Sequence, residues 1–364
     1  MTPLPERYDR QVLLRDIGPE GQQRLLDSTV LLLGCGALGS VVADLLSRAG
    51  IGHLVIVDRD VVEETNLQRQ LLFDERDAAE GLPKAEAARR RIADVNSGVR
   101  VTAVVDNIDH SNIARYGNGV DLMIDGLDNL ETRYLANDFA VQQGVPYVYG
   151  GAVGSVGMVF PIMPHHAGDV PWHAAGGPDY STPCFRCLFS EAPPPGTTAT
   201  CDTTGVLGSL TTIIGGFQVT EALKILTRNY EKVNRKLLQV DIWGNDIGLF
   251  DVSDMRQSTG CPCCRDGRFD YLDGTAGSAA SVLCGRDAVQ LRPRAESAAI
   301  DFKTLAARLE RHAAVTANEF LLRAQLTDGE TPYEITLFPN GRAIIKGTQT
   351  ADVARGIYSK YIGI

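Results

Sequence analysis

Unbroken apolar runs punctuated by glycine set the rhythm of the first half of the chain. Residues 29–33 (TVLLL) and 53–57 (HLVIV) are apolar after their first position. Runs of that length suit strands of a parallel sheet covered on both faces, where no side chain points to water. Between them, residues 37–49 space apolar side chains at helical intervals and stop at Gly50 and Gly52. Residues 99–105, 121–125 (DLMID) and 146–150 read as further strands, with helices over 84–95 and 131–143. Upstream, 9–27 reads as one helix whose buried face carries Val12, Leu13, Leu14, Ile17, Leu25 and Leu26. Strand and helix alternating in this way predict a doubly wound, Rossmann-like α/β sheet, with its core at about residues 28–160.

After Gly151 the pattern loosens. Residues 154–160 read as a strand leaving the core, 164–183 as a long His-, Gly- and Pro-rich loop, and 191–200 (EAPPPGTTAT) as a linker. A long buried helix over 205–226 and a strand over 237–242 complete an extended crossover region at about 161–268. Strand-like alternation then returns at 282–291, 319–326, 333–338 and 342–346, with helices at 301–312 and 351–361. A β-α-β-β-β-α order over 275–364 predicts a small C-terminal α+β domain. It holds no cluster of catalytic residue types, so its expected role is partner binding.

Composition narrows the class. The 364 residues suffice for one large α/β domain with a small appendage. No apolar run approaches the roughly 18 residues that span a bilayer. The opening MTPLPERYDRQ lacks the basic and apolar regions of a signal peptide. A net charge of −10 argues against non-specific nucleic-acid binding. Among eight cysteines without an export signal, the paired C-x-x-C spacings read as metal ligands before disulfides, and the expected compartment is the cytoplasm. Cys184 and Cys187 form one C-x-x-C, and Cys261 with Cys264 the other, matching a closed tetrahedral zinc site; Cys263 competes for the same place.

The chemistry concentrates between residues 30 and 84. Gly34-x-Gly36-x-x-Gly39 after a strand is a turn that brings bare backbone to a nucleotide. Asp58, ending the second strand, is placed to accept from ribose hydroxyls, whereas Asp60 reads as a loop residue. A dinucleotide oxidoreductase has little use for Asn66, Arg69 and Lys84 behind that acid. Such donors suit a triphosphate whose charge must be met during attack. Asp128 follows the fourth strand and reads either as a Mg²⁺ ligand beside the phosphates or as the cap of the next helix, with Asn129 beside it. Cys201, just before an apolar helix, reads equally as a nucleophile or as a buried apolar residue. Cys35 and Cys284 read as packing residues, and His165, His166 and His173 as solvated.

In their order, RYDRQ, GCGALG, VDRD, TNLQRQ, Lys84, DGLDN, CFRC, CDTTGVLG and CPCC resemble the ThiF/MoeB family, which includes the cores of ubiquitin-activating enzymes. The resemblance spans about residues 5–268. It implies ATP-dependent adenylation of the C-terminal glycine of a β-grasp sulfur-carrier or ubiquitin-like protein ending in Gly-Gly. Carried over by position, Gly34, Gly36, Ala37 and Gly39 face the nucleotide with Asp58, Thr65, Asn66, Leu67, Gln68, Arg69, Lys84, Asp128 and Asn129. Asp128 holds Mg²⁺, Arg69 and Lys84 meet phosphate charge, and Arg10 reaches the partner subunit's site, which implies a homodimer. Cys201 falls where some members bond the activated carrier covalently. Ala37 replaces a glycine frequent in the turn, and the segment before Cys184 is longer than usual. No persulfide-bearing loop is evident in the C-terminal domain, so sulfur comes from a separate donor protein. The glycine turn with Asp58 leaves an NAD- or FAD-binding oxidoreductase as the alternative. Ala37 and the appended domain leave a non-catalytic scaffold.

Overall fold

Five parallel strands form one side of the main sheet, in the order β3 (Arg100–Val104), β2 (His53–Val57), β1 (Thr29–Leu33), β4 (Leu122–Asp125) and β5 (Tyr147–Val153). Antiparallel pairing then adds β6 (Val156–Ile162), β7 (Lys236–Asp241) and β8 (Asp246–Asp251). The structure is a computed structural model. It describes residues 4–165, 170–173, 178–190, 205–258, 260–276, 281–283, 287–292, 300–310, 312–328 and 331–362.

The apolar strands are explained by two-sided burial. Leu31, Leu33, Val55, Val57 and Met123 share one core with Tyr134 and Phe139 from the Leu130–Gln143 helix. Their alternates Val30, Leu32, Leu54, Ile56 and Ile124 are also buried, on the opposite face. The Gly208–Leu226 helix packs against both the Ala37–Ala49 helix and the sheet. A Cβ on Gly215 would lie 2.7 Å from the Val41 side chain, and one on Gly157 would lie 2.4 Å from Ile214. Small residues there let the long helix lie close. Its buried Gln218 donates to the Asp125 carbonyl at 2.8 Å, which ties it to the end of β4.

The described residues divide into two compact units, one within 4–276 and the other within 281–362. In the second, six antiparallel strands run in the order β11 (Ala314–Ala317), β12 (Leu322–Asp328), β13 (Thr331–Leu337), β14 (Ala343–Lys346), β10 (Ala288–Leu291), β9 (Ser281–Leu283). Leu322, Ala324, Leu326, Ile335, Leu337 and Ile345 share a core with Leu305 of the Phe302–Leu309 helix and Ile357 of the Ala351–Tyr361 helix.

Three expectations differ in detail. The stretch 9–27 is a short Asp9–Val12 turn followed by a Gly18–Asp27 helix, because Gly18 sits at φ +57° and Pro19 starts the second segment. Residues 282–291 are two strands, reversing where Asp287 has φ +45°. Strands β8 and β11 add to the predicted set. Among the described residues, no helix is long and apolar enough to cross a membrane.

Candidate active site

The glycine turn is built by close backbone contact. Gly34 reverses the chain at φ +85° after β1 and donates to the Val57 carbonyl at 2.8 Å. A Cβ on Gly34 would fall 2.5 Å from the Gly126 carbonyl oxygen, one on Gly39 2.1 Å from the Gly34 oxygen, and one on Gly126 2.3 Å from that same oxygen. No real Cβ survives at such distances, so the turn and the loop after β4 lock main chain to main chain. Gly36 differs: the nearest atom to a Cβ there is Gln70 Nε2, 3.9 Å away. Internal packing therefore does not require Gly36, which faces open space at the start of the Ala37–Ala49 helix. Nor does any side chain cap that helix, so its first N–H groups suit an approaching phosphate.

Below the turn lies a buried charge cluster. Asp58 accepts from the Cys35 N–H at 2.6 Å and from the Asp60 N–H at 2.7 Å, so this carboxylate pins the glycine turn to the loop after β2. Burial pushes its pKa up, while the Lys84 charge pulls the other way. Lys84 opens the Lys84–Val95 helix after Pro83 and is only 2% exposed; its Nζ lies 3.2 Å from Asp60 Oδ2. Asp60, expected as an ordinary loop residue, is thus the buried counter-charge of Lys84. Arg59, which the sequence reading passed over, lies 3.7 Å from Asp60 and 3.8 Å from Asp128, and it donates to Asn107 at 3.0 Å. It bridges the acids at the ends of β2 and β4.

The β4 loop is held from beneath. Asp125, fully buried, accepts from Leu127 N–H, Arg133 Nε and the Tyr147 hydroxyl at 2.8–2.9 Å. Arg133 also donates to the Leu127 and Gly150 carbonyls. The cap of the Leu130–Gln143 helix is Asn129, whose side chain accepts from Thr132 N–H at 2.9 Å. Capping therefore does not occupy Asp128, whose side chain is 56% exposed.

Across the turn, Asn66 is buried and accepts from Glu63 N–H in a capping box. Arg69 donates to the Thr65 carbonyl at 2.9 Å. Thr65 and Gln68 are exposed, and Leu67 is half-buried. Gly208 presses on this segment, since a Cβ there would meet the Gln68 carbonyl at 2.8 Å. Gln70, also passed over, is 3% exposed and points its amide toward Gly36, and its Oε1 has no hydrogen-bond partner. A buried polar atom without a partner, beside an open glycine turn, fits a site that accepts a ligand. Arg10 is exposed. Cys201 and His166 lie outside the described residues.

Four thiols gather elsewhere in the same unit. Cys184 Sγ lies 3.8 Å from Cys187 and 3.6 Å from Cys261, and Cys187 Sγ lies 3.4 Å from Cys264. Sulfurs around a tetrahedral ion with bonds of about 2.3 Å sit about 3.8 Å apart, so the set fits such an ion. Cys263 is not among the four and instead contacts the Asn137 amide at 3.4 Å. His165 and His173, expected as solvated, are half-buried and meet Asp179.

Comparison with known proteins places this arrangement. The model of the ThiF family matches residues 8–263. The chain is 38% identical to a sulfur carrier protein ThiS adenylyltransferase of Bacillus subtilis over 98% of this chain and 99% of that protein. It is 38% identical to a SAMP-activating enzyme E1 of Haloferax volcanii, covering 74% of this chain and 92% of that one. A Thermus thermophilus sulfur carrier protein adenylyltransferase is 37% identical, with 72% and 91% covered. Among solved structures, E. coli MccB with ATP superposes with a TM-score of 0.55 at 22% identity, over 69% of this chain and 72% of that chain, a likeness of fold.

Proposed function

The chain belongs to the ThiF family, and from that footing we propose that it uses ATP to adenylate the C-terminal glycine of a small sulfur-carrier protein. The end-to-end likeness to the Bacillus adenylyltransferase carries this reading. The carrier carboxylate attacks the α-phosphorus, an O–P bond forms, the bond to the β-phosphate oxygen breaks, and pyrophosphate leaves. An ionised carboxylate needs no general base near pH 7. The difficulty is anion meeting anion, so positioned donors do most of the work. Gly36 and the uncapped helix after it would receive the phosphates, and Asn66, Arg69 and Lys84 would meet the developing charge, with Asp58 holding the turn in shape and Asp60 paired with Lys84. Asp128 would hold the Mg²⁺ that offsets triphosphate charge.

Cys184, Cys187, Cys261 and Cys264 would hold a structural zinc, a closed site that leaves no position for substrate. The family resemblance further suggests a cytoplasmic homodimer in which Arg10, exposed here, would reach the second copy's site. The C-terminal unit would bind the carrier or a separate sulfur donor. ATP–pyrophosphate exchange tests the reading: it should require a carrier ending in Gly-Gly and should vanish in Arg69→Ala and Asp128→Ala with the fold intact. Exchange that persists in both variants, or that no carrier supports, overturns the reading. In the same assay Cys201→Ala separates the steps, leaving exchange in place while any covalent carrier adduct disappears.

A further inference from the structure

Strand β6 ends at Ile162, and His165 follows three residues later. The returning chain carries His173 and Asp179, which face each other across an isolated antiparallel bridge. Asp179 Oδ1 lies 3.2 Å from His173 Nδ1, and Oδ2 lies 3.8 Å from His165 Nδ1, with the imidazole centroids 5.1 Å apart. Both Nδ1 atoms are buried, and neither has a hydrogen-bond partner. A plain His–Asp pair would aim an N–H at the carboxylate, and here neither ring does so. Two buried ring nitrogens converging on one carboxylate without hydrogen bonds are a costly arrangement unless something else lies between them.

We propose that His165, His173 and Asp179 form a second metal site, separate from the four thiols, that takes a divalent transition ion such as Zn²⁺. Ligand bonds of about 2.0–2.1 Å place neighbouring donors of a tetrahedral ion about 3.3–3.4 Å apart; the 3.2 and 3.8 Å spacings to Asp179 bracket that value, and all three donor atoms lie within 4.8 Å of one another. Imidazole and carboxylate donors suit the borderline ions Zn²⁺, Ni²⁺ and Cu²⁺ over Mg²⁺ or Ca²⁺.

The frame is preorganised. Buried Trp172 donates from Nε1 to the Pro164 carbonyl at 2.9 Å, beside His165, and its own carbonyl accepts from Tyr180 N–H at 3.0 Å, beside Asp179. Asp179 Oδ1 also accepts from Ser181 N–H at 2.8 Å. Thr182 fastens the returning chain to Pro161 and Met163 at 2.9–3.0 Å. All three ligands come from the segment between β6 and Cys184. Three protein ligands leave a coordination position open, unlike four thiolates.

Equilibrium dialysis of the full chain against Zn²⁺, followed by elemental analysis, tests the site. The wild type should retain one zinc per chain more than His173→Gln or Asp179→Asn. Added Zn²⁺ should raise the melting temperature of the wild type and leave that of both variants unchanged. Equal zinc in all three proteins overturns the proposal. If either variant fails to fold, Co²⁺ titration of the wild type decides: a saturable equivalent bound without thiolate charge-transfer absorption supports the site, and its absence refutes it.

Discussion

Lys84 shows what one residue contributes through its neighbours. Its charge opposes the burial that lifts the Asp58 carboxyl, and it pairs with Asp60. Breaking a buried pair from one side costs about 3–5 kcal/mol, and losing one transition-state donor costs roughly 10²–10³ in rate. Lys84→Met should therefore lose both stability and exchange. The pH dependence has a definite sign. A carboxyl whose folded pKa is raised contributes stability below its unfolded pKa of about 3.9, and that stability is lost as pH rises through the folded value. Removing Lys84 raises the folded value further. The melting deficit of Lys84→Met should be smallest near about pH 4 and grow toward neutrality; a deficit constant with pH would show that Lys84 acts through packing alone. At this scale the sequence exposes Lys84 and Asp58 through motif spacing. It hides Asp60, Arg59 and Gln70, whose partners are set only when separate loops meet. It also leaves open whether Asp128 caps the following helix or stays available to a ligand, since the cap is settled only by the folded loop, where Asn129 takes it.

The elements were legible where burial is two-sided. Strands β1 and β2 announce themselves because every position after the first is apolar, and β4 because only its closing Asp125 is polar. Strand β8 does not: Ile247, Leu249 and Phe250 are all exposed, so no buried face patterns it. The helix expected over 9–27 fails for the same reason, since Leu13 and Leu14 face solvent and Gly18 with Pro19 resets the backbone. The glycine turn yields a contrast between neighbours. Gly39→Ala must displace the Gly34 carbonyl and should cost on the order of 3 kcal/mol. Gly36→Ala has room and should melt within about 0.5 kcal/mol of the wild type. It should nonetheless raise the KM for ATP roughly tenfold, equivalent to about 1.4 kcal/mol of binding. Thermal melts and ATP titrations of the two variants check this, and equal melting losses would contradict it.

For the whole molecule, the division into a catalytic and an appended unit makes a further prediction. A chain ending at Ala276 retains the turn, the charge cluster and the four thiols. It should fold and support carrier-dependent exchange with kcat close to that of the full chain and a raised KM for the carrier. Exchange lost at every carrier concentration would show that the second unit completes the site. Strand alternation restarts in the sequence beyond residue 270, whereas the number of strands there was obscured by the tight reversal at Asp287. Across the first unit, Gly34 and Gly39 meet Gly126 backbone to backbone although Gly126 lies far from both in the chain. In a mutational screen these three positions should therefore score as one locus. A bulky residue at Gly126 would surface as a nucleotide defect, and its suppressors should map to the turn around Gly34 and not to its own loop.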